Sequence, residues 1–434
     1  MDYSFIDEQQ IGYFLEFWNL TLWVFTRIWW ITIPLVLFFI YYIWLINKRI
    51  KFIDSINYVY LAVTVPPESD KNPGSMEQVL AGFYGVESGK NFVEKYFKGE
   101  VQVSLSLELI SINGNVRFII RIPDYFRDLI EASIYSQYPD AEITEVEDYT
   151  KFAPNIYPND KYKMYGLEFG LAKDDAYPIR TYYEFEDKLG DKEFKFIDPL
   201  SVLTEMMSRL GEGEQLWIQF VVRPIRDQWK ERGEKVVAKL IGKAVKEKVS
   251  IVEMPIKSSI GLLHGISKGL ESALGFQEVE PKKGMDMPSM MQYLSPGEQR
   301  VVEAIENSLA KTGYEVKFRF IYLARKEVFD KAKGAAPIFG AISLFNDQYL
   351  NGFRPKGRTI SKTEYFQKYR NPKRERRLMR NYKLRRIDEI ATPFVLNIEE
   401  LATVFHFPYI TVKAPSMSHS ELKTKEPPPD LPVE

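Results

Sequence analysis

The sequence predicts an α+β protein that carries one transmembrane helix near its N-terminus. Three observations lead to this fold class. An apolar run without charge occupies residues 28–46, segments with strand and helix periodicity alternate after it, and a dense basic segment lies between residues 354 and 386. The chain of 434 residues is long enough for two or three domains with buried cores.

The apolar run IWWITIPLVLFFIYYIWLI, residues 28–46, is predicted to be an uncleaved membrane anchor within residues 1–50. At about 1.5 Å per residue it spans roughly 28 Å, close to the hydrocarbon thickness of a bilayer. A cleaved signal peptide is the alternative. Signal peptides have a basic start, a short apolar core and a small-residue cleavage site. The acidic start and the long run favour the anchor.

Aromatic and basic side chains mark the ends of the predicted span. Trp29, Trp30 and Trp44 are amphipathic rings of the kind that favour the headgroup level. Lys48 and Arg49 follow the span directly, whereas the segment before it is mostly acidic. The positive-inside rule then predicts a single pass through the cytoplasmic membrane, with the N-terminus outside and the bulk of the chain in the cytoplasm.

Residues 51–150 are predicted to form a first α+β domain with the split βαβ, or ferredoxin-like, order of elements. The turn Asn113–Asn115 favours a hairpin between its two middle strands, because Gly and Asn accept positive φ angles. The predicted strands are 57–65, 101–112, 116–122 and 141–148, and the predicted helices are 75–83 and 125–138. The segment at 101–112 alternates apolar and polar residues, which predicts a half-buried strand.

Residues 151–350 are predicted to form a second α+β domain, with another ferredoxin-like module as the favoured arrangement. Its strand candidates are 162–171, 179–186, 214–223 and 314–324, and its helix candidates are 199–210, 226–248, 296–312 and 328–345. An insertion at about 251–294 contains GLLHGISKGLESALGF and a methionine-rich stretch. We interpret it as a mobile linker with an amphipathic helix, for which docking on a membrane surface is an alternative.

Enzymatic motifs are not predicted. In YGVESGKN, residues 84–91, three residues separate Gly85 from Gly89, and Asn91 replaces the hydroxyl of a phosphate-binding Walker A loop. The chain has no cysteine and three histidines, and its acidic residues show no catalytic or metal-ligating spacing. We therefore predict a protein that is not an enzyme and that uses no cofactor and no metal, with an enzyme of unrecognised type as the alternative.

Residues 351–390 are predicted to form a basic, partly extended arm. Between Arg354 and Arg386 the chain has fourteen Lys and Arg against two Glu, a net charge of +12. Basic residues cover nearly every face of this stretch, so we do not expect a helix that packs on a core. Such density attracts polyanions, and DNA or RNA, anionic lipid and an acidic protein all stay as possible partners. The residues predicted to bind are Lys373, Arg374, Arg376, Arg377, Arg380, Lys383, Arg385 and Arg386.

Residues 391–434 are predicted to be a docking segment followed by an extended, proline-rich tail. Phe405, His406 and Phe407 lie in the aromatic stretch TVFHFPY. We interpret His406 as a packed or partner-facing side chain rather than a base. The three residues together are the predicted partner-docking site.

Three stretches resemble one family. They are ESGKNFVEKYFKGEVQVSLSLELISINGNVRFIIRIPDYFRDLIEASIYSQYPDAEITEVEDY, ISLFNDQYLNGFRP and VLNIEELATVFHFP with EPPPDLPVE. They are similar to the membrane-anchored N-terminal region of type IV secretion or conjugative DNA-transfer proteins of reduced-genome bacteria. In many such proteins the last motif precedes a HerA/FtsK-like ATPase domain. No position here matches the nucleotide-binding residues of that domain, so the resemblance implies an ATPase supplied by a separate chain.

The resemblance and the residues lead to one functional hypothesis. We expect a non-enzymatic, membrane-anchored subunit of a DNA-translocation or type IV secretion-like complex, which forms homo-oligomers and docks an ATPase. The alternative is a general membrane scaffold that binds anionic lipid or an acidic partner and has no role in DNA transfer.

Overall fold

A computed structural model describes residues 8–66, 71–187, 195–196, 198–242, 294–363, 365–389 and 392–408. The predicted insertion up to residue 293 and the proline-rich tail lie outside the described residues. The chain divides into two compact units. The first comprises Met1–Tyr58 and Glu87–Val103, and the second comprises Val59–Val86 and Ser104–Glu434.

The first unit is built on one long helix, α1 (Glu8–Asp54). Within α1, the stretch Trp29–Asp54 contains an 18-residue window with a mean hydropathy of 2.0, and nearly all of its side chains are exposed. Its length and composition allow it to cross a membrane, although a signal sequence near an N-terminus has the same properties. Pro34 lies inside the helix without ending it, which is common in apolar helices.

The segment Glu87–Val103 packs along the C-terminal part of α1. The Tyr41 hydroxyl donates a hydrogen bond to the Tyr96 carbonyl oxygen at 3.0 Å. Gly99 has a φ of 74° and lies so close to α1 that an added Cβ would be 2.7 Å from the Lys48 Cβ. Lys90 Nζ lies 3.0 Å from a Glu100 carboxylate oxygen. The lysine of YGVESGKN is therefore held in an ion pair within a loop.

The second unit alternates strands and helices along the chain. The strands are β1 (Tyr58–Thr64), β2 (Leu105–Ile112), β3 (Asn115–Pro123), β4 (Glu142–Glu145), β5 (Tyr162–Leu171), β6 (Glu186–Asp187), β7 (Lys195–Phe196), β8 (Glu214–Pro224), β9 (Gly313–Arg325), β10 (Phe353–Pro355) and β11 (Phe394–Asn397). The helices are α2 (Pro73–Phe83), α3 (Arg127–Gln137), α4 (Pro199–Ser208), α5 (Gln228–Leu240), α6 (Pro296–Leu309), α7 (Lys331–Ser343), α8 (Gln367–Lys383) and α9 (Ile398–Val404).

Among the described residues, nine strands form one large sheet in the order β10-β5-β9-β8-β2-β3-β1-β4, and β11 pairs with β9. The pairs β5–β9, β8–β9, β2–β8, β2–β3 and β1–β4 are antiparallel. The strands of residues 51–150 and those of residues 151–350 thus share one sheet. They join through β2 and β8, which are in register from Leu105 opposite Val222 to Ile112 opposite Gln215.

The two faces of the sheet are covered by different helices. On β2, the Ser111 hydroxyl donates to the Met207 carbonyl oxygen of α4, whereas Ile110 belongs to a buried cluster with Leu378 and Tyr382 of α8. Because neighbouring residues of a strand point to opposite faces, α4 and α8 lie on opposite sides of the sheet. A separate apolar cluster forms between α5 and α6, around Trp229.

The polar residues that alternate with apolar ones in β2 are not exposed to solvent. Ser106 and Glu108 are fully buried, as are the apolar residues between them. The prediction of a half-buried strand is wrong, because both faces of β2 are covered: Ser106 and Glu108 are buried on the α8 side, and Ser111 is buried on the α4 side. The carboxylate of Glu108 is instead neutralised within the protein.

The segment at 179–186, predicted as a strand, contains a short 3₁₀ turn at Tyr182–Phe185. Only its last residue, Glu186, belongs to a strand, and two of its earlier backbone amides donate to side chains of α9. The Ile179 amide donates to a Glu400 carboxylate oxygen at 2.8 Å, and the Tyr182 amide donates to the Thr403 hydroxyl at 3.0 Å. Side chains of α9 thus take the place of a neighbouring strand.

The predicted docking residues Phe405, His406 and Phe407 belong to the core, and each is 1% exposed. The rings of Phe405 and Phe407 lie 5.8 and 5.4 Å from the ring of Phe118 on β3. His406 Nε2 lies 3.0 Å from a carboxylate oxygen of Asp198, the residue that caps α4. The prediction of a partner-docking site is wrong, because these side chains attach the end of α9 to the sheet and to α4. Of the two interpretations of His406, the packed side chain is the one that agrees with its burial.

Candidate polyanion-binding surface on helix α8

The basic segment forms α8 rather than an extended arm, and α8 packs on the sheet. Leu378, Met379 and Tyr382 are buried against Trp217 of β8. An added Cβ on Gly166 of β5 would lie 2.9 Å from a Leu378 methyl carbon, so the helix approaches the strand closely there. The expectation of no core-facing side is wrong, because apolar residues at i, i+1 and i+4 suffice to bury one stripe of a charged helix.

The opposite side of α8 carries a row of exposed cations, Lys373, Arg376, Arg377 and Arg380. Among the described residues, Lys373 and Arg377 have no acidic partner. Arg376 donates to the Pro372 carbonyl oxygen of its own helix at 3.2 Å. No carboxylate among the described residues neutralises any of these three cations.

Glu389 partly neutralises the C-terminal end of the row. Its carboxylate lies 3.1 Å from Arg380 and also pairs with the exposed Arg386. The burial of Glu389 opposes its ionisation, but the two arginines hold its pKa below the usual value. The positive charge is consequently least compensated around Lys373 and Arg377.

Two open grooves border these cations. The larger, of about 590 Å³, is lined by Asn155, Lys373, Arg376, Arg377, Met379, Arg380, Lys383 and Leu384. The smaller, of about 210 Å³, is lined by Arg358, Thr359, Lys373, Arg374, Arg377 and Leu378. Lys373 and Arg377 line both grooves. A phosphate in either groove would meet several cations at once.

Two of the predicted binding residues have structural contacts instead. Arg374 Nη1 donates to the carbonyl oxygens of Gly357 and Ile360 at 3.1 and 3.0 Å, which ties α8 to the loop before it. Burial, with the charge of Arg370, lowers the pKa of Arg374. Lys383 Nζ donates to the Ala153 carbonyl oxygen at 2.6 Å. We therefore assign both to positioning the helix.

Arg385 is buried beneath α8 and is not available to a polyanion. Its guanidinium donates to Glu108 at 3.0 and 3.3 Å and to Asp148 at 2.6 and 2.9 Å. It also lies over the rings of Tyr60 and Tyr149, at 4.9 and 5.8 Å from the centroids. The prediction that Arg385 binds an external anion is wrong, because these carboxylates already occupy its donors.

The ion pairs of Arg385 extend into a network across the sheet. Gln219 of β8 donates to Glu108 at 2.9 Å and accepts from Arg319 of β9 at 3.0 Å. Arg319 in turn donates to Glu168 of β5 at 2.9 Å. Lys317 Nζ lies 3.8 Å from Glu168, and burial lowers the pKa of Lys317 to about 8 despite that carboxylate. The network links β2 to β8, β9 and β5, across the junction between the two halves of the sheet.

Burial also opposes ionisation of the network carboxylates, but Arg385 outweighs it. Its charge and hydrogen bonds, with those of Ser106 and Tyr149, keep the pKa of Glu108 below the usual value. The same guanidinium, with Thr150, lowers the pKa of Asp148 to about 2. Both carboxylates are therefore charged at neutral pH, and Arg385 is needed to compensate them.

Glu375 is the acidic residue of α8. Burial raises its pKa to about 7, and the charge of Lys362 only partly opposes this shift. A protonated Glu375 leaves the charge of the basic row uncompensated, so the positive field of α8 grows as the pH falls through neutrality.

Three exposed aromatic rings, Tyr365, Phe366 and Tyr369, surround the N-terminus of α8. Lys368 and Arg370 are exposed beside them. Phe366 adopts a left-handed conformation with a φ of 52°, which turns the chain into the helix. The sequence shows this interleaving of rings and cations, but it does not show that all three rings face solvent.

The predicted anchor residues are on α1, in the other unit. Trp29, Trp30 and Trp44 are exposed along the helix, and Lys48 Nζ lies 5.7 Å from the Trp44 ring centroid. Arg49 is partly buried, and its Nε has no hydrogen-bond partner among the described residues. Lys48 and Arg49 lie at the C-terminal end of the apolar run, and Arg27 lies at its N-terminal end.

The described residues contain no group of three or more His, Asp or Glu side chains that could hold a metal ion. No curated protein matches the chain. The sequence model of one protein family matches residues 60–420, which begin within β1 and include β2 to β11 and the whole basic surface of α8. The chain therefore belongs to the family described as Domain of unknown function (DUF8128).

Proposed function

We propose that the protein is a non-enzymatic, membrane-anchored subunit of a DNA-translocation or type IV secretion-like complex, and that it binds nucleic acid through α8. The observation that carries this proposal is the exposed row on α8, where Lys373 and Arg377 have no acidic partner among the described residues and line both grooves. Phosphates are the ligands that such clustered cations prefer. The resemblance to conjugative DNA-transfer proteins supports the choice of DNA.

The sheet supports a role as a scaffold. We interpret β4-β1-β3-β2 and β10-β5-β9-β8 as two ferredoxin-like modules, because each half repeats the same spatial order of its first, second, third and fourth strands. The modules join edge to edge through β2 and β8. In this proposal α1 anchors the chain in the cytoplasmic membrane with its N-terminus outside, and the sheet forms homo-oligomers and docks a separate HerA/FtsK-like ATPase.

DNA binding by the full chain in nanodiscs of zwitterionic lipid tests the proposal. Labelled duplex and single-stranded DNA are titrated at about 50 to 200 mM salt, and the slope of log affinity against log salt is measured. The variant Lys373→Gln/Arg377→Gln is expected to weaken binding and to reduce that slope by about 2, one for each lost phosphate contact.

The matched control is Lys235→Gln/Lys239→Gln, which removes two exposed cations from α5. It is expected to keep most of the affinity, because a diffuse loss of charge has a small effect at these salt concentrations. Equal losses in both double variants, or no binding by the unmodified chain, would refute α8 as the nucleic-acid site.

The alternative is a general membrane scaffold whose cations bind anionic lipid. It is favoured by one observation, the exposed rings of Tyr365, Phe366 and Tyr369 beside Lys368 and Arg370, since aromatic rings and cations also favour a headgroup layer. Nanodiscs with phosphatidylserine separate the two functions. Protection of the α8 region from hydrogen exchange by anionic lipid, without DNA binding in zwitterionic discs, would favour the scaffold.

A further inference from the structure

We propose that residues 92–98 form a second membrane contact, which inserts Phe92, Val93 and Phe97 into the lipid beside α1. This inference rests on the proposed role of α1 as a membrane anchor. It concerns the first unit alone. The proposed partner is a lipid surface, and the segment that contacts it is not part of the apolar run of α1.

The segment lies along α1 and reaches the part of the helix that belongs to the apolar run. Lys90 Nζ lies 5.9 Å from the Phe52 ring centroid, and the Tyr96 carbonyl oxygen accepts from the Tyr41 hydroxyl. Phe52 and Tyr41 are eleven residues apart, which is about 16 Å along a helix axis. Gly99 then returns to the level of Lys48. The tip therefore lies roughly 7 Å above Ile46, inside the charge-free part of α1.

Three side chains at this tip are apolar and largely exposed. Phe92, Val93 and Phe97 are 68%, 54% and 57% exposed. The rings of Phe92 and Tyr96 lie 4.7 Å apart, so the aromatic residues form one cluster. The exposure of large apolar side chains to water is unfavourable. The cluster lies next to residues of α1 that are also apolar and exposed. One bilayer would cover both.

The backbone of the segment is suited to a lipid environment. Asn91 and Glu94 cap the helical turn reciprocally, at 3.0 and 2.9 Å, and the Glu100 amide donates to the Glu94 carbonyl oxygen at 2.9 Å. Backbone groups exposed to hydrocarbon have to be satisfied internally, and a capped helical turn meets this requirement. Lys95 and Lys98 are exposed, and their long stems allow the ammonium groups to reach the headgroups.

Single-cysteine labelling of the full chain tests the inference, because the chain has no cysteine of its own. The variants are Phe92→Cys and Phe97→Cys at the tip, Leu37→Cys on α1 and Tyr349→Cys on the second unit; all four positions are exposed. Each is labelled with the fluorophore NBD in phosphatidylcholine proteoliposomes, and quenching by lipids with a nitroxide on the acyl chain is measured.

Labels at positions 92 and 97 are expected to be quenched severalfold more than the label at 349, and to show a blue-shifted emission. If the label at 37 is quenched while those at 92 and 97 behave like the one at 349, the second contact is refuted and the anchor stands. If the label at 37 is not quenched either, the anchor is refuted together with the inference that depends on it.

Discussion

Replacing Arg385 by alanine tests whether the basic segment has a buried half and an exposed half. The side chains of Arg385 and Glu108 are fully buried, and four nitrogen–oxygen contacts of 2.6 to 3.3 Å join the guanidinium to Glu108 and Asp148. Arg385→Ala leaves two charged carboxylates without their cation. Loss of one partner of a buried ion pair typically costs about 3–5 kcal/mol of unfolding free energy.

The matched variant is Arg377→Ala, eight residues earlier on the exposed side of α8. It removes the same charge but breaks no ion pair within the described residues. We expect its unfolding free energy to change by less than about 0.5 kcal/mol. DNA affinity should respond in the opposite way, with a loss for Arg377→Ala and no specific loss for Arg385→Ala at temperatures where that variant is folded.

Urea unfolding of the full chain in detergent, followed by far-ultraviolet circular dichroism, measures the stability of each variant. A rescue sharpens the test, because Glu108→Gln/Arg385→Met replaces the buried pair by groups without charge. Such replacements often restore stability, so we expect the double variant to be more stable than Arg385→Ala alone. A loss below about 1 kcal/mol for Arg385→Ala, or no recovery in the double variant, would show that the network does not carry this energy.

Three further predictions concern other parts of the second unit. Glu375→Gln is expected to stabilise the fold at pH 8 and to have little effect near pH 4.5. The pKa of Glu375 in the folded protein is about 7, so the unmodified protein loses stability as the pH rises from the ordinary carboxyl pKa through 7. Since Glu375 is only partly buried, we expect about 1–2 kcal/mol at pH 8, measured by urea unfolding at both pH values; equal effects at the two pH values would contradict the assignment. Phe407→Ala is expected to lower the free energy of unfolding by about 3–5 kcal/mol, because the ring packs on Phe118 and Tyr138. A loss below about 1 kcal/mol would contradict the burial of this ring. Gly166→Ala is expected to destabilise the protein by more than 1 kcal/mol, because its Cβ would lie 2.6 Å from the Phe320 carbonyl oxygen. Thermal unfolding tests this, with Gly340→Ala as the control, because a Cβ at the exposed Gly340 would meet no neighbouring atom.

Local patterns in the sequence predicted most elements of the fold. The strand at 162–171 has the bounds that its apolar pattern predicts. The helix predicted at 296–312 begins as expected, with Ser295 and Glu298 in a reciprocal capping box, and ends at Leu309. These features depend on residues two to four positions apart, and the sequence alone is sufficient to show them.

Contacts between distant residues explain the predictions that are wrong. Glu108 and Arg385 are 277 residues apart, so no periodicity reveals that each neutralises the other. The same holds for His406 and Asp198, which are 208 residues apart. Composition predicted surface exposure for the basic and acidic residues. Pairing across the sheet reverses that expectation, because a paired charge tolerates burial.

The buried network and the exposed cations belong to one helix, and this arrangement bears on how α8 binds a ligand. Arg385 holds the C-terminal end of α8 to β2, Arg374 ties it to the preceding loop, and Leu378 fixes its middle on β5. The backbone beneath Lys373 and Arg377 is therefore held in place before a ligand arrives. Binding then costs little conformational entropy beyond that of the two side chains, which favours affinity from a small surface. A flexible basic arm of the same charge would have to order many more residues on each encounter.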